Sequence, residues 1–143
     1  MALNQLSVLV DNSRGALVGI TRELADAGVN LRAFSIADTE HFGILRMIVS
    51  DNEKGIEVLK RSGLIVKETE VIGVKIKDEP GQLALALQAL NDAGINVEYL
   101  YAFCARTERH AYMVVRVADN AAAEAALTAK GFHMIENEDI LRL

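Results

Sequence analysis

Hydrophobic and polar positions alternate along Val71–Lys77, which reads VIGVKIK. Aliphatic residues occupy every second position and glycine or lysine stands between them, a period of two that predicts a half-buried strand. After a turn over Asp78–Gly81, leucines recur at helical spacing until Gly94, and a glycine in that position is typical of a helix end. The stretch therefore predicts a strand followed by a helix.

The rest of the chain continues this pattern. Two β-rich runs, INVEYLYAFCA and AYMVVRVAD, flank the polar RTER and predict a hairpin. An alanine-rich stretch over about Asn120–Lys130 predicts a second helix, and FHMIE predicts a last strand. The N-terminal half has the same order, with strands over Leu6–Val10, Leu31–Ala37, Ile44–Val49 and Leu64–Lys67 and helices over about Gly15–Ala27 and Glu53–Arg61. Each half therefore predicts a βαββαβ unit.

The two halves are an internal duplication. ADAGVN at Ala25–Asn30 returns as NDAGIN at Asn91–Asn96, an offset of 66 residues, whereas Gly63 matches Gly131 at an offset of 68. The second copy therefore holds two extra residues, which we expect in a turn. The fold class predicted is α+β, with two tandem ferredoxin-like βαββαβ units over 1–69 and 70–143, each an antiparallel sheet with helices on one face.

Composition narrows the function. The formal net charge is −5, and no basic patch is evident, which argues against nucleic acid and anionic membranes as partners. No apolar run is long enough for a membrane span and no signal peptide is recognisable, so a cytoplasmic location is expected. Cys104 is the single cysteine, and its spacing to the histidines fits no zinc pattern, so neither a metal nor a cofactor is predicted.

The turn DEPG, the leucine-rich helix and the following AGINV together resemble the ACT domain, the small-molecule-sensing module of amino-acid metabolism. The first copy, DNSRGALVGITRELADAGVNLRAFSIADT, resembles it equally well, so the resemblance covers essentially the whole chain. It implies a tandem ACT protein of the stand-alone type, which binds a free amino acid, regulates a process and carries no catalytic domain.

Candidate ligand-binding residues lie where the first helix of each copy begins and ends. A helix that starts at a glycine presents unsatisfied N–H groups and a positive dipole end, which suit a carboxylate. An asparagine side chain after the helix can bind both an ammonium and a carboxylate group. The candidates are Asn12, Ser13, Arg14, Gly15, Ala16 and Asn30 in the first copy, and Asp78, Glu79, Gly81, Gln82 and Asn96 in the second.

The resemblance adds detail to these candidates. The ligand-binding asparagine of the ACT family falls on Asn12 and on Asp78, while the histidine that some members use falls on Val10 and Ile76. The identity of the amino acid therefore stays open. Arg14, in place of the usual proline, either pairs with a carboxylate or is solvated. Because two acidic residues stand in the second loop, we expect the first loop to be the tighter carboxylate site.

Strand alternation also predicts an assembly. If Leu100, Ala102 and Cys104 face the helices, then aromatic residues lie on the opposite, open face of the second sheet, namely Tyr99, Tyr101, Phe103 and Tyr112, with Val114. The corresponding positions in the first copy carry the small residues Ala33, Ser35 and Ala37. An exposed aromatic face of this size favours a homodimer formed through the open sheet face.

Three classes of function follow. The first is an amino-acid-binding regulatory protein, acting on a separately encoded biosynthetic enzyme. The second is a ligand-free assembly module that serves as a regulatory subunit. The third is an enzyme or nucleic-acid binder of the same architecture, since fold alone does not determine function. No catalytic residues are assigned, because no nucleophile and base stand in a recognisable local motif, and RHAYMVVRV lacks the aromatic pattern of an RNA-binding strand.

Overall fold

The computed structural model describes residues 3–38, 40–140 and 142. Its strands are β1 (Leu3–Asp11), β2 (Leu31–Asp38), β3 (Phe42–Val49), β4 (Val66–Lys77), β5 (Tyr99–Ala102), β6 (His110–Arg116) and β7 (His133–Ile135). Its helices are α1 (Ala16–Asp26), α2 (Asn52–Arg61), α3 (Gln82–Asp92), α4 (Asn120–Ala129) and the short α5 (Asn137–Ile140). The chain divides into two compact units, one over Asn4–Thr69 and one from Glu70 onward together with Leu3.

The first unit is a sheet in the order β2-β3-β1-β4, with antiparallel pairing of β2 with β3 and of β3 with β1. Alternate residues of β1, Leu6, Val8 and Val10, are buried in one cluster with Ile20 and Leu24 of α1. This burial follows from the two periods in the sequence, two along the strand and about four along the helix. The helices therefore pack on one face of the sheet.

The second unit repeats this arrangement in the order β7-β4-β6-β5, again with antiparallel pairing. Ile72, Val74 and Ile76 of β4 are buried in a cluster with Leu90 of α3 and Leu127 of α4. The order of strands is that of the ferredoxin-like fold in both units. The predicted fold class, α+β with two ferredoxin-like βαββαβ units, is confirmed.

Corresponding hydrogen bonds locate the two extra residues of the second copy. The N–H of Asn12 donates to the carbonyl of His41 at 3.2 Å, and the N–H of Asp78 donates to the carbonyl of Arg109 at 2.8 Å. The donors are 66 positions apart and the acceptors are 68 positions apart in the chain. Ser35 pairs with Arg46 in the first hairpin and Tyr101 with Val114 in the second, so the offset is 66 on one strand and 68 on the other. The insertion therefore lies in the turn between β5 and β6.

The strand β4 differs from the prediction. Sequence patterns predicted one strand that ended near Lys67 and another that began at Val71, whereas the structure has one continuous strand of twelve residues. The intervening Glu-Thr-Glu contains neither glycine nor proline, so nothing interrupts the extended backbone. Helix α5 was not predicted at all, because four residues are too few to show a periodic pattern.

The prediction of an exposed aromatic face is wrong. The side chains of Tyr101, Phe103 and Tyr112 are buried, with at most 8% of their surface exposed, and Val114 is fully buried. The register places Tyr101 opposite Val114, which confirms that they share a face. Alternation along a strand shows which residues share a face but not what covers it. Tyr99, the fourth aromatic residue of the predicted face, is half-buried, so the aromatic residues supply no large open surface for a homodimer.

The predicted burial of Cys104 is also wrong. The alternation itself continues past the end of β5, since Tyr101 and Phe103 are buried and Ala102 and Cys104 are not, but nothing buries the side that Ala102 and Cys104 share. Both Ala102 and Cys104 are exposed, whereas Leu100 does pack against the buried cluster of the second unit.

Candidate functional site

The loop between β1 and α1 begins the first candidate site. Asn12, Ser13, Arg14 and Gly15 are all exposed, and Gly15 has a φ of 91°, a left-handed conformation that favours glycine. The N–H of Ser13 donates to the carbonyl of Asp11 at 2.9 Å, so the loop has a defined turn. Arg14 forms no ion pair with any other described residue.

The loop between β4 and α3 has the same backbone conformation. Gly81 has a φ of 87° and a ψ of −9°, against 91° and −13° for Gly15. In both loops the first helical N–H bonds back into the turn, from Ala16 to the carbonyl of Ser13 and from Gln82 to the carbonyl of Glu79, each at 3.3 Å. The duplication therefore preserves the loop geometry while its side chains differ.

The next two amides of each helix have no acceptor among the residues that the structure describes. Within the described part of the chain, no side chain caps α1 or α3, and no acceptor is present for the N–H groups of Leu17, Val18, Leu83 and Ala84. By contrast, Asp51 caps α2 and Asp119 caps α4, through carboxylate oxygens that accept from Lys54 N–H at 3.1 Å and Ala122 N–H at 3.0 Å. The helix starts therefore differ in what precedes them, a left-handed glycine at the candidate loops and a capping carboxylate at α2 and α4. Open N–H groups are not confined to the candidate loops, since those of Glu53 and Ala121 also have no acceptor among the described residues.

Both glycines leave space for a ligand. An ideal Cβ atom at Gly15 or Gly81 would have no atom within 4 Å, apart from its chain neighbours. The loops are therefore approachable from solvent, and a side chain at either glycine would occupy the space next to the open N–H groups.

The electrostatics of the second loop differ from what its sequence suggests. Asp78 accepts a hydrogen bond from Nη1 of Arg106 at 3.2 Å, in an exposed ion pair. Such a pair is worth about 0–1 kcal/mol, but it places a positive charge beside the loop. Arg106 lies 28 residues further along, in the β5–β6 turn, so no local motif indicated it. Arg106 therefore offsets part of the repulsion that Asp78 and Glu79 would exert on a ligand carboxylate at the second loop.

The candidate asparagines lie at the opposite end of the same helices. Asn30 exchanges two hydrogen bonds of 2.9 Å with Ser50, through its backbone N–H to Ser50 Oγ and from Ser50 N–H to its carbonyl. Helix α1 has 11 residues and is therefore about 16 Å long. Within the first unit, the Gly15 loop and Asn30 are therefore too far apart to contact the same small ligand. The exposed side chain of Asn30 is left available for contacts.

Asn96 lines a hollow of about 510 Å³ with residues of α3 and the segment that follows it, including Leu87, Asn91 and Gly94. Its side chain is exposed, like that of Asn30. The hollow makes Asn96 accessible to a small molecule independently of the Gly81 loop.

A groove of similar volume in the second unit was not predicted. It has a volume of about 520 Å³ and includes Gln82 of the candidate loop, beside several basic residues. We call it the basic groove, defined by Lys75, Lys77, His110, Lys130 and His133. These residues are dispersed along the sequence. The one feature of the sequence that could have indicated them is that the first copy carries no basic residue at the corresponding positions.

Neither a metal site nor a membrane span is evident in residues 3–38, 40–140 and 142. No group of three or more potential metal ligands comes together there. None of the helices in these ranges has the length and apolar character needed to cross a bilayer.

Comparison with known proteins identifies the family. A family model described as "ACT domain pair" matches residues 1–143. A search of curated protein sequences finds no match.

Among solved structures, protein BT0572 from Bacteroides thetaiotaomicron is 34% identical, with a TM-score of 0.92 over 100% of this chain and 98% of that chain. The regulatory subunit of aspartate kinase from Thermus thermophilus, in its ligand-free form, is 19% identical, with a TM-score of 0.67 over 88% of each chain. The corresponding subunit from Thermus flavus is 17% identical, with a TM-score of 0.62 over 88% of this chain and 90% of that chain. At these lower identities the two subunits show likeness of fold alone. The family match over the full length of the sequence shows that the chain belongs to the ACT domain pair family.

Proposed function

We propose that this protein binds a free amino acid through its β1–α1 and β4–α3 loops and acts as a regulatory protein of amino-acid metabolism without catalytic activity of its own. The observation that carries the proposal is the pair of uncapped helix starts at Gly15 and Gly81, which have one backbone conformation and open N–H groups. Such N–H groups, with the helix dipole, favour a carboxylate by about 0.3–1 kcal/mol per helix terminus.

The side chains around the loops fit the other parts of an amino acid. In the first unit, the exposed Asn12 and Arg14 supply an amide and a guanidinium group that can bind a carboxylate. In the second, the carboxylate of Asp78 suits an ammonium group, although Arg106 competes for it. Asn30 and Asn96, at the other helix ends, would form separate contacts rather than part of the same loop site. We retain the first loop as the tighter carboxylate site.

The comparisons support a regulatory role through family membership. Two solved structures of the same fold are regulatory subunits of aspartate kinase. This likeness favours a second candidate function, an assembly module that binds no ligand and regulates a separately encoded enzyme as its subunit. A cytoplasmic location and a homodimer are further proposals; the homodimer has lost the aromatic surface that suggested it, and light scattering at micromolar concentration tests it directly.

A thermal-shift screen of the twenty amino acids separates the two candidates. A ligand at one hundred times its dissociation constant adds about 2.7 kcal/mol to the stability of a native state that alone binds it. We expect at least one amino acid to raise the melting temperature. If none does, the amino-acid-binding proposal is wrong and the assembly module is favoured.

Substitutions then locate the site by calorimetry. We expect Gly15→Val to abolish binding at the first loop, because its side chain would block the approach to the N–H groups of Leu17 and Val18. Gly63→Val is the matched control, since Gly63 also has a positive φ of 82° and open space around it but belongs to no candidate site. Asn30→Ala tests the opposite end of α1 separately: a loss of about 1–3 kcal/mol would show that the amide of Asn30 contacts a ligand there. Unchanged affinity in both Gly15→Val and Asn30→Ala would make the first copy structural, and Gly81 and Asn96 would be tested next.

A further inference from the structure

The strand pairing of the second unit places four basic side chains and a tyrosine on one face of the sheet. Directly opposite residues of antiparallel strands share a face. Lys75 of β4 therefore lies with Tyr112 of β6 and His133 of β7, and Lys77 lies with His110 of β6. Alternation along β4 puts this face opposite to the one that packs against the helices. We call these five residues the open-face cluster.

The members of the open-face cluster are close enough to bind one small group. Directly opposite residues have Cβ atoms about 4.5–5.5 Å apart, and alternate residues of a strand are about 7 Å apart. Lys75 and Lys77 thus stand side by side, with His133 on one side of β4 and Tyr112 and His110 on the other. Because a lysine side chain is long and flexible, both ammonium groups can reach a ligand next to Tyr112.

No carboxylate balances the positive charge of the cluster. The paired positions of β4, β5, β6 and β7 that share this face carry neither aspartate nor glutamate. Neither the two lysines nor the two histidines form an ion pair with any residue in the described ranges. Like charges at neighbouring positions of a sheet repel each other, so an anion bound between the two lysines would relieve this repulsion.

Tyr112 distinguishes the cluster from an ordinary charged surface. The residue is 8% exposed, so more than nine-tenths of it is buried. A buried tyrosine usually has a hydrogen-bond partner for its hydroxyl group. The hydroxyl of Tyr112 has none in the part of the chain that the structure describes. A hydrogen-bond donor without a partner therefore stands directly opposite Lys75.

The cluster lies where the buried aromatic part of the face meets solvent. Lys75 and His110 are half-buried, whereas Lys77 and His133 are exposed. Charges at such a border are screened less than charges in bulk water, and the exposed side leaves a path for a ligand. The four basic members also border the basic groove, but the face that they share lies away from α3.

The first copy shows that the fold does not require these side chains. At the offsets of 66 and 68, the corresponding residues are Leu9, Asp11, Phe42, Ile44 and Ile65. None of them is basic, and four are apolar. The strands pair in the same way in the first copy, with Leu9 opposite Ile44 and Asp11 opposite Phe42. The open-face cluster is therefore a property of the second copy and not of the fold.

We propose that the open-face cluster binds the phosphate group of a small phosphorylated compound. A phosphate group carries a charge of about −1.5 to −2 and three strong acceptor oxygens. The ammonium groups of Lys75 and Lys77 and the hydroxyl of Tyr112 supply one donor group for each oxygen. A carboxylate has one charge and two oxygens, and so uses fewer of these groups. The cluster contains no residue of the candidate loops, and the proposal does not depend on the amino-acid site.

Calorimetric titrations at an ionic strength of about 0.15 M test the proposal. The probes are glycerol 3-phosphate and inorganic phosphate, with succinate as a dianion of another kind and glycerol as a neutral control. We expect both phosphates to bind more tightly than succinate, and glycerol to give no heat. Tighter binding of glycerol 3-phosphate assigns a phosphate ester, and equal binding assigns free phosphate. Failure of both phosphates to bind at about 10 mM, or equal binding of succinate, would overturn the proposal.

Variants locate the binding. Tyr112→Phe removes the hydroxyl group alone and should weaken phosphate binding about tenfold, the loss expected for one hydrogen bond to a charged group. Lys75→Gln should weaken it at least about tenfold for the same reason. Lys130→Gln is the charge-matched control, since Lys130 lies at the end of α4, outside the cluster, and should change the affinity less than about twofold. Equal weakening in Lys75→Gln and Lys130→Gln, or unchanged affinity in Tyr112→Phe, would contradict the proposed site.

The amino-acid proposal is tested apart from this one. Gly15→Val should leave the phosphate affinity unchanged, and Tyr112→Phe should leave any amino-acid affinity at the first loop unchanged. Loss of phosphate binding in Gly15→Val, with the fold confirmed by circular dichroism, would place the phosphate at the first loop and overturn the assignment to the open-face cluster.

Discussion

Gly73 shows how closely a single residue of β4 is packed. An ideal Cβ at Gly73 would lie 2.8 Å from Cδ1 of Leu3 and 3.0 Å from Cβ of Ile135. The Leu3 contact is with the end of a flexible side chain, but Cβ of Ile135 is fixed by the backbone of β7, which pairs with β4 at this residue. Only glycine therefore fits without a shift of the sheet.

We expect Gly73→Ala to lower the free energy of unfolding by about 1–3 kcal/mol, because the added methyl group overpacks a closed space. Gly19→Ala is the control, since Gly19 lies within α1 and its Cβ would meet no atom within 4 Å. That change should raise the stability by up to about 1 kcal/mol through helix propensity. Chemical denaturation measures both; a neutral Gly73→Ala would mean that β7 shifts easily.

At the scale of elements, the four longer helices begin in two different ways. Helices α2 and α4 begin at aspartates that cap them, whereas α1 and α3 begin at glycines with no side-chain cap among the described residues. The duplication therefore keeps one capped and one uncapped helix in each unit. The aspartate caps stabilise α2 and α4, whereas the starts of α1 and α3, at the candidate loops, have no such cap.

We expect Asp51→Ala and Asp119→Ala each to destabilise the protein by about 1 kcal/mol, the typical loss of a helix cap. Asp26→Ala removes the same charge at the last residue of α1 and should be neutral or slightly stabilising, because a carboxylate there opposes the helix dipole. Thermal unfolding of the three variants decides the point. Equal effects at all three positions would show that net charge, rather than capping, controls the stability.

The elements were largely predictable because each contains a periodic pattern. The alternation in β4 predicted a face that is buried in the structure. The leucine spacing predicted the helix α3 but not its core face, because Leu83 is exposed and the buried residues are Ala86, Ala89 and Leu90. The ends were less predictable. The stop of β5 at Ala102 has no glycine or proline to mark it. Cys104 follows the predicted alternation but is exposed, like Ala102, because nothing buries their side at this end of the strand. Burial of Tyr101 depends on what covers its face, which no local pattern contains.

At the scale of the whole molecule, the duplication made the fold predictable, since two copies of one pattern indicate one unit twice. The candidate loops were found for the same reason, because Gly15 and Gly81 stand in register. The pairing of Arg106 with Asp78 and the basic groove were not found, because both bring together residues that are far apart in the chain. Contacts of this kind depend on topology rather than on local sequence.

The contrast between capped and uncapped helix starts has a consequence for amide hydrogen exchange. The unbonded N–H groups of Leu17, Val18, Leu83 and Ala84 should exchange rapidly with deuterium in the free protein, while those of Lys54 and Ala122 should be protected by their caps. Exchange measured by NMR with and without the amino acid that shifts the melting temperature would show which loop is occupied. Slower exchange at Leu17 and Val18 alone would assign the first loop, and unchanged exchange at all four amides would contradict binding at either. The amides of Lys54 and Ala122 thus serve as an internal reference, because their exchange rates reflect general stabilisation, whereas the exchange rates at the starts of α1 and α3 reflect ligand binding.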